Sequence, residues 1–188
     1  MLNLPNFLTL IRIVAIPFFL VLLSSHLYLD ALIIFVLGGL TDALDGAVAR
    51  LTHQQTSLGA YLDPVADKLL VMSSFIMLGL MDAIPPWVCV LVVSRDIIIL
   101  FGYGIIYFLV QERLEVQPSL VGKLNTIFQL VTVGVVLLSL HDSQLVPSWL
   151  DDFLIYATVL TTVVSGLQYI YRGLVWLQNR APSLTRLS

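Results

Sequence analysis

Charge is scarce in this sequence. Of 188 residues only 11% are Asp, Glu, Lys or Arg, against 59% hydrophobic, and the mean hydropathy is +0.97. A soluble domain carries about 25% charged residues, so this inventory cannot furnish a water-facing surface. The chain is expected to be an all-α integral membrane protein, one domain over residues 1–188. Cysteine is nearly absent as well. Cys89 stands alone in an apolar run, which excludes an intrachain disulfide and suits a small core residue. There is no basic run and no basic patch interleaved with aromatics, which argues against nucleic acid as a partner. No basic n-region opens the chain, and Arg12 falls where a signal peptide would be purely apolar, so the first apolar stretch is expected to be an uncleaved helix.

What is present is a series of apolar stretches long enough to cross a bilayer as helices. Six can be counted, at roughly residues 7–24, 29–50, 65–82, 86–110, 121–140 and 152–175. Pro5, Pro64, Pro86, Pro118 and Pro147 all fall near their ends, where proline costs least. The connections near residues 25, 84 and 145 contain no Lys or Arg, whereas Arg50 and Lys68 flank the 51–63 connection and Arg113 and Lys123 flank the 111–120 connection. Arg172, Arg180 and Arg186 lie at the C-terminal end. The positive-inside rule then places both termini and those two connections in the cytoplasm, with a bundle of six transmembrane helices between them.

Against this background, residues 41–70 gather four carboxylates: Asp42, Asp45, Asp63 and Asp67. At about 100° per residue, spacings of three and four put each pair on one helix face, about 60° and 40° apart. The two pairs belong to consecutive spans joined on the cytoplasmic side. Pro64 suggests that Asp63 caps the start of its helix rather than lying within it. Four carboxylates at a low-dielectric site repel one another and are costly to desolvate. Two hard divalent cations, Mg²⁺ or Mn²⁺, would balance them. Gly46, Ala49 and Gly59 add no bulk beside the acids, and Arg50 could hold a phosphate. Carboxylates, small residues and an arginine around paired metals suit phosphoryl transfer. A cation transporter is the competing class, but it leaves the glycines and Arg50 without a purpose.

These residues carry a resemblance. Asp42, Asp45, Gly46, Ala49, Arg50, Gly59, Asp63 and Asp67 fill every fixed position of D-x2-D-G-x2-A-R-x8-G-x3-D-x3-D, which resembles the signature of the CDP-alcohol phosphotransferases. The resemblance implies a metal-dependent membrane enzyme that moves a substituted phosphate from a CDP-linked lipid to an alcohol and releases CMP. By position, the four aspartates would bind metal, with Asp67 also the general base. Gly46, Ala49, Arg50 and Gly59 would line the site of CDP-diacylglycerol, and the enzyme would be a homodimer in the inner membrane with its site on the cytoplasmic side.

The start of the chain, with Asn3, Pro5, Asn6, Thr9 and Arg12, resembles the phosphatidylglycerophosphate synthases and the eukaryotic-type cardiolipin synthases, as does SLGAYLDPVADKLL. Asn6 is either a helix N-cap or a contact to the CDP-lipid. Arg12 either snorkels to the surface or meets phosphate. Ser94, Arg95 and Asp96, and the stretch from Pro118 through Lys123, Asn125 and Thr126 to Gln129, resemble the cardiolipin type. An asparagine at 125 can hydrogen-bond a diol but cannot neutralise a phosphate dianion. The acceptor favoured on these grounds is phosphatidylglycerol, with glycerol 3-phosphate as the alternative, and Arg95, Arg113, Lys123 and Asn125 are the candidate acceptor-binding residues. Arg95 could equally be an interhelical bridge. Because Arg95 and Asp96 leave a helix about 100° apart, they are not expected to pair with each other.

Other polar residues suggest surface roles. His26, His53 and His141 lie in or near connections without metal-ligand spacing. Trp87, Trp149 and Trp176 sit near span ends, as an interfacial belt would place them. Asp151 and Asp152 read as a solvated helix start, and Gly102 and Gly104 as a close helix contact.

Overall fold

The computed structural model describes residues 4–52, 59–110 and 119–184, and six helices and no strands occur among them. They are α1 (Leu4–Ser24), α2 (Tyr28–Thr52), α3 (Gly59–Leu80), α4 (Pro86–Val110), α5 (Leu120–His141) and α6 (Ser148–Leu184). Each apolar stretch of the sequence is one helix. Two of them, Leu120–His141 and Ser148–Val175, are long and apolar enough to cross a membrane among the described residues.

Local chemistry fixes several ends. α1 closes with His26 at φ 61°, the Leu27 amide reaching the Leu22 carbonyl at 3.0 Å and the His26 amide reaching Leu23 at 3.1 Å. α3 closes the same way on Asp82, at φ 56°, with the Ala83 amide on Leu78 at 2.9 Å and the Asp82 amide on Gly79 at 3.2 Å. Both are Schellman closures with a left-handed residue after the cap. α4 starts on Pro86, a position where no amide hydrogen is required. Ser119 caps α5 by accepting the Gly122 amide at 3.0 Å.

Helix α1 packs on α2 and α3, α3 on α4, α4 on α6, α6 on α5, and α5 on α2. These contacts close a ring, and α3 touches α2 and α5 as well. Phe19, Leu23, Phe35, Val71, Phe75, Leu78, Val88, Val92, Val133 and Leu137 form the apolar core, with the Phe19 and Phe35 rings 5.9 Å apart. Cys89 is buried in it as expected, its thiol donating to the Phe75 carbonyl at 3.0 Å.

The surface is as apolar as the core. Phe18, Leu80, Phe101, Leu120 and Leu160 are among many large hydrophobics left exposed, while Asn125, Gln129, Thr132, Thr158, Thr162 and Ser165 are buried. This pattern suits a protein surrounded by lipid, where helices gain little from burying apolar area and are held by close packing and interhelical hydrogen bonds. Thr132 and Thr158 hydroxyls meet at 2.7 Å, joining α5 to α6. Gly102 packs against Tyr169 of α6: a Cβ there would lie 3.1 Å from its ring.

At the end of the bundle near the α5–α6 turn, Asp151 is not simply a solvated helix start. It accepts the Ser139 hydroxyl at 2.8 Å, because the first turn of α6 folds back beside the last turns of α5. Asp152 is exposed. Trp87 and Trp149 are exposed near the starts of α4 and α6; the side chain of Trp176 lies outside the described residues.

A Cβ built on Gly79 would sit 2.5 Å from the Cys89 sulfur, so α3 and α4 touch there without room for a methyl group. Gly79→Ala should lower stability by about 1–3 kcal/mol. Thermal unfolding in detergent should also show that adding Cys89→Ala recovers most of the loss.

Candidate active site

Asp42 and Asp45 lie in the last three turns of α2, and Asp63 and Asp67 in the first three turns of α3. The acids therefore flank the 53–58 connection, and α2 and α3 touch. Their carboxylates lie outside the described residues, as do the side chains of Asn6, Ala49 and Arg50. Gly46 is in α2, and Gly59 is the first residue of α3. One expectation is corrected here. Asp63 is not a cap, because α3 begins at Gly59 and Asp63 is its fifth residue. Pro64 lies in the second turn, where it withdraws only one intrahelical hydrogen bond.

Beside Asp67, the described residues form a charged cluster. Lys68 reaches across to α4 and contacts both oxygens of Asp96, at 3.3 and 3.4 Å. The Arg95 Nη1 donates to the same carboxylate at 2.5 Å, and its Nη2 donates to the Ser165 hydroxyl of α6. The expectation that Arg95 and Asp96 stay apart is therefore wrong. Their Cβ directions diverge, but the arginine stem is long enough to fold back onto its neighbour. Asp96 is 1% exposed, so the carboxylate is removed from lipid and solvent alike and needs both cations. Arg95 is both an intrahelical and an interhelical tie.

The first turn of α5 closes over this cluster. A Cβ on Gly122 would lie 3.7 Å from Arg95 Nη2 and 3.7 Å from the Ser165 hydroxyl. An exposed Lys123 follows. Among the described side chains, one acid (Asp96), the buried Arg95, the half-buried Lys68 and a helix N-terminus leave this corner positive, a suitable setting for an anion.

Asn125 does not line this corner. It is fully buried and its side-chain oxygen accepts from Thr161 at 3.0 Å and Thr162 at 2.8 Å. Its carbonyl thus joins α5 to α6, while its side-chain nitrogen is buried with no partner among the described residues. Arg12 is 3% exposed, so it turns into the bundle and does not snorkel. Arg113 and His53 lie outside the described residues. His26 and His141 are exposed, and His26 Nδ1 pairs with the Tyr28 hydroxyl at 2.6 Å. A cavity of about 260 Å³ among Trp87, Ser139, Asp151 and Tyr156 is at the end of the bundle away from the acids. Lys68 and Asp96 were named from the sequence only as a flanking cation and as part of a resemblance, not as site residues, and Ser165 was not singled out. The signal for the first two was available: a lysine directly after the last acid and a carboxylate within an apolar run.

The comparisons agree with the motif. Residues 2–164 match the family model described as CDP-alcohol phosphatidyltransferase, and the chain belongs to that family; it is a transferase. It is similar to a Bacillus subtilis protein named CDP-diacylglycerol–glycerol-3-phosphate 3-phosphatidyltransferase, 32% identical over 92% of this chain and 96% of the relative. A Mycobacterium tuberculosis protein named "Probable phosphatidylglycerophosphate synthase" is 35% identical over 92% of this chain and 82% of its own. An Aquifex aeolicus protein bearing the same name as the Bacillus one is 31% identical over 91% and 96%.

The enclosure of Asn125 sets an expectation for its replacement. Asn125→Lys should force an ammonium between α5 and α6 and cost roughly 3–5 kcal/mol. Thermal melting should show this loss, with no gain of a new acceptor in turnover assays.

Proposed function

We propose that this protein is a phosphatidylglycerophosphate synthase, transferring the phosphatidyl group of CDP-diacylglycerol to a hydroxyl of glycerol 3-phosphate. The observation that carries the acceptor choice is the positive corner beside Asp67. Among the described side chains Lys68 and Arg95 share the single carboxylate of Asp96, so the cations outnumber the acids there, the four motif aspartates being assigned to the metal ions. A phosphate dianion suits that excess better than a neutral diol. The relatives' names point the same way. Phosphatidylglycerol, favoured on the sequence through Asn125, loses its main support once that side chain is committed to Thr161 and Thr162.

In this reading the acceptor hydroxyl attacks the phosphorus that bears the diacylglycerol. The bond from that phosphorus to the CMP oxygen breaks, CMP leaves with the electron pair, and the hydroxyl proton passes to Asp67. Asp42, Asp45, Asp63 and Asp67 form an all-oxygen donor set that fits Mg²⁺ or Mn²⁺. Two such ions, when bound, would neutralise charge on the pyrophosphate. Gly46, Ala49 and Gly59 would line the site and let the nucleotide approach the backbone, and Arg50, Asn6 and Arg12 would hold its phosphates. Arg95, with Lys123 and Arg113, would hold the acceptor phosphate.

The wider frame belongs to the same proposal. All six helices span a bacterial cell membrane, both termini and the acidic connection are cytoplasmic, and the enzyme works as a homodimer. Exposed apolar side chains on every helix and the distribution of Lys and Arg support it.

Purified protein given CDP-diacylglycerol and Mg²⁺ or Mn²⁺ should yield phosphatidylglycerophosphate and CMP with glycerol 3-phosphate as acceptor, and no product with phosphatidylglycerol. Cardiolipin as the product would overturn the acceptor. Asp67→Asn should lower turnover at least about 100-fold while CDP-lipid binding persists. Asp42→Ala should lose metal binding, read by titration, together with activity.

A further inference from the structure

We propose that Asp96 and Ser165 are positioning residues for the acceptor, acting through Arg95; this deepens the glycerol 3-phosphate reading above and rests on it. The two residues grip the guanidinium from opposite helices. Asp96 of α4 takes Nη1 at 2.5 Å, and Ser165 of α6 takes Nη2. Gly122 leaves the space in which the first turn of α5 lies against the grip. Arg95 Nε is buried with no partner among the described residues, while Arg95 itself is 8% exposed. A buried charged donor without a partner is costly; what the grip fixes is the plane and direction of the guanidinium, through Asp96 and Ser165.

Lys68 gives the arrangement its second purpose. It lies next to Asp67 in α3 and is bound by the same carboxylate. A single buried acid thus ties the helix of the proposed base to the arginine of the proposed acceptor site. The distance between proton acceptor and anchored phosphate is then set by side chains that touch neither substrate. Small misplacements at that distance are expensive, because the reaction needs the hydroxyl oriented toward phosphorus.

Charge and geometry make opposite forecasts, which allows a test. Removing the Asp96 charge makes the corner more positive, so a carboxylate that served only as a counter-charge would, when neutralised, tighten glycerol 3-phosphate binding. A carboxylate that positions Arg95 would, when lost, loosen it. For the purified enzyme, Asp96→Asn should raise the KM for glycerol 3-phosphate roughly tenfold, with the KM for CDP-diacylglycerol within about twofold of wild type. Asp96→Glu should recover part of the loss. Ser165→Ala changes no charge and removes the other half of the grip. It should raise the same KM several-fold, and it keeps the test open if Asp96→Asn does not fold. A fall in that KM for Asp96→Asn would overturn the proposal, as would unchanged KM values in both variants with only a lower melting temperature. Wild-type enzyme that ignores glycerol 3-phosphate would remove the acceptor reading, and this inference with it. Wild-type enzyme that uses it, with variants whose KM does not move, would remove the positioning role alone.

Discussion

Buried side-chain hydrogen bonds between neighbouring helices hold this bundle together, and the few buried polar atoms they leave over, Arg95 Nε and Asn125 Nδ2 among them, are the exceptions among the described residues. The exposed surface is dominated by Leu, Ile, Val and Phe, and hydrocarbon cannot accept or donate a hydrogen bond. That constraint selects helices, which satisfy their own backbone, and it makes the few buried polar side chains decisive. Thr132 pairs with Thr158, Asn125 with Thr161 and Thr162, and Arg95 with Asp96 and Ser165. Each of these partnerships except Arg95 with Asp96 joins two different helices.

The charged members of this set gather beside the acidic motif. Lys68 follows Asp67 directly, and Asp96 neutralises it from α4. The acidic motif and these cations lie within adjoining turns of α2, α3 and α4. Left free, these would collapse onto one another. Giving the cations their own carboxylate separates the two sets, and the surplus positive charge remains for an anion.

The six helices were legible because hydropathy over about 20 residues is a strong signal in a chain with so few charges. The start of α3 was not, because Pro64 reads as a helix start, whereas it lies in the second turn, beyond the positions that accept proline freely. The family was legible from eight fixed residues. The acceptor was not, because it turned on Asn125. An amide in an apolar helix looks the same whether it faces a substrate or a pair of threonines on α6, and only packing separates the two. Arg95 and Asp96 misled for a related reason. Helical angles describe where a side chain leaves the backbone, and a long arginine is free to bend back from there.

The hydroxyl and amide contacts along α5 and α6 have a mechanical consequence. Hydrogen bonds index α6 against its neighbours: a slide of α6 by one turn would break the Thr132 and Asn125 contacts to α5 and the Arg95 contact to α4 together. Tyr169 adds a further stop by donating to the Ile99 carbonyl at 3.3 Å. The contacts of Ile16, Phe19 and Leu23 in α1 are apolar and carry no such indexing. Helices α4, α5 and α6, by contrast, are held in register with one another by side-chain hydrogen bonds.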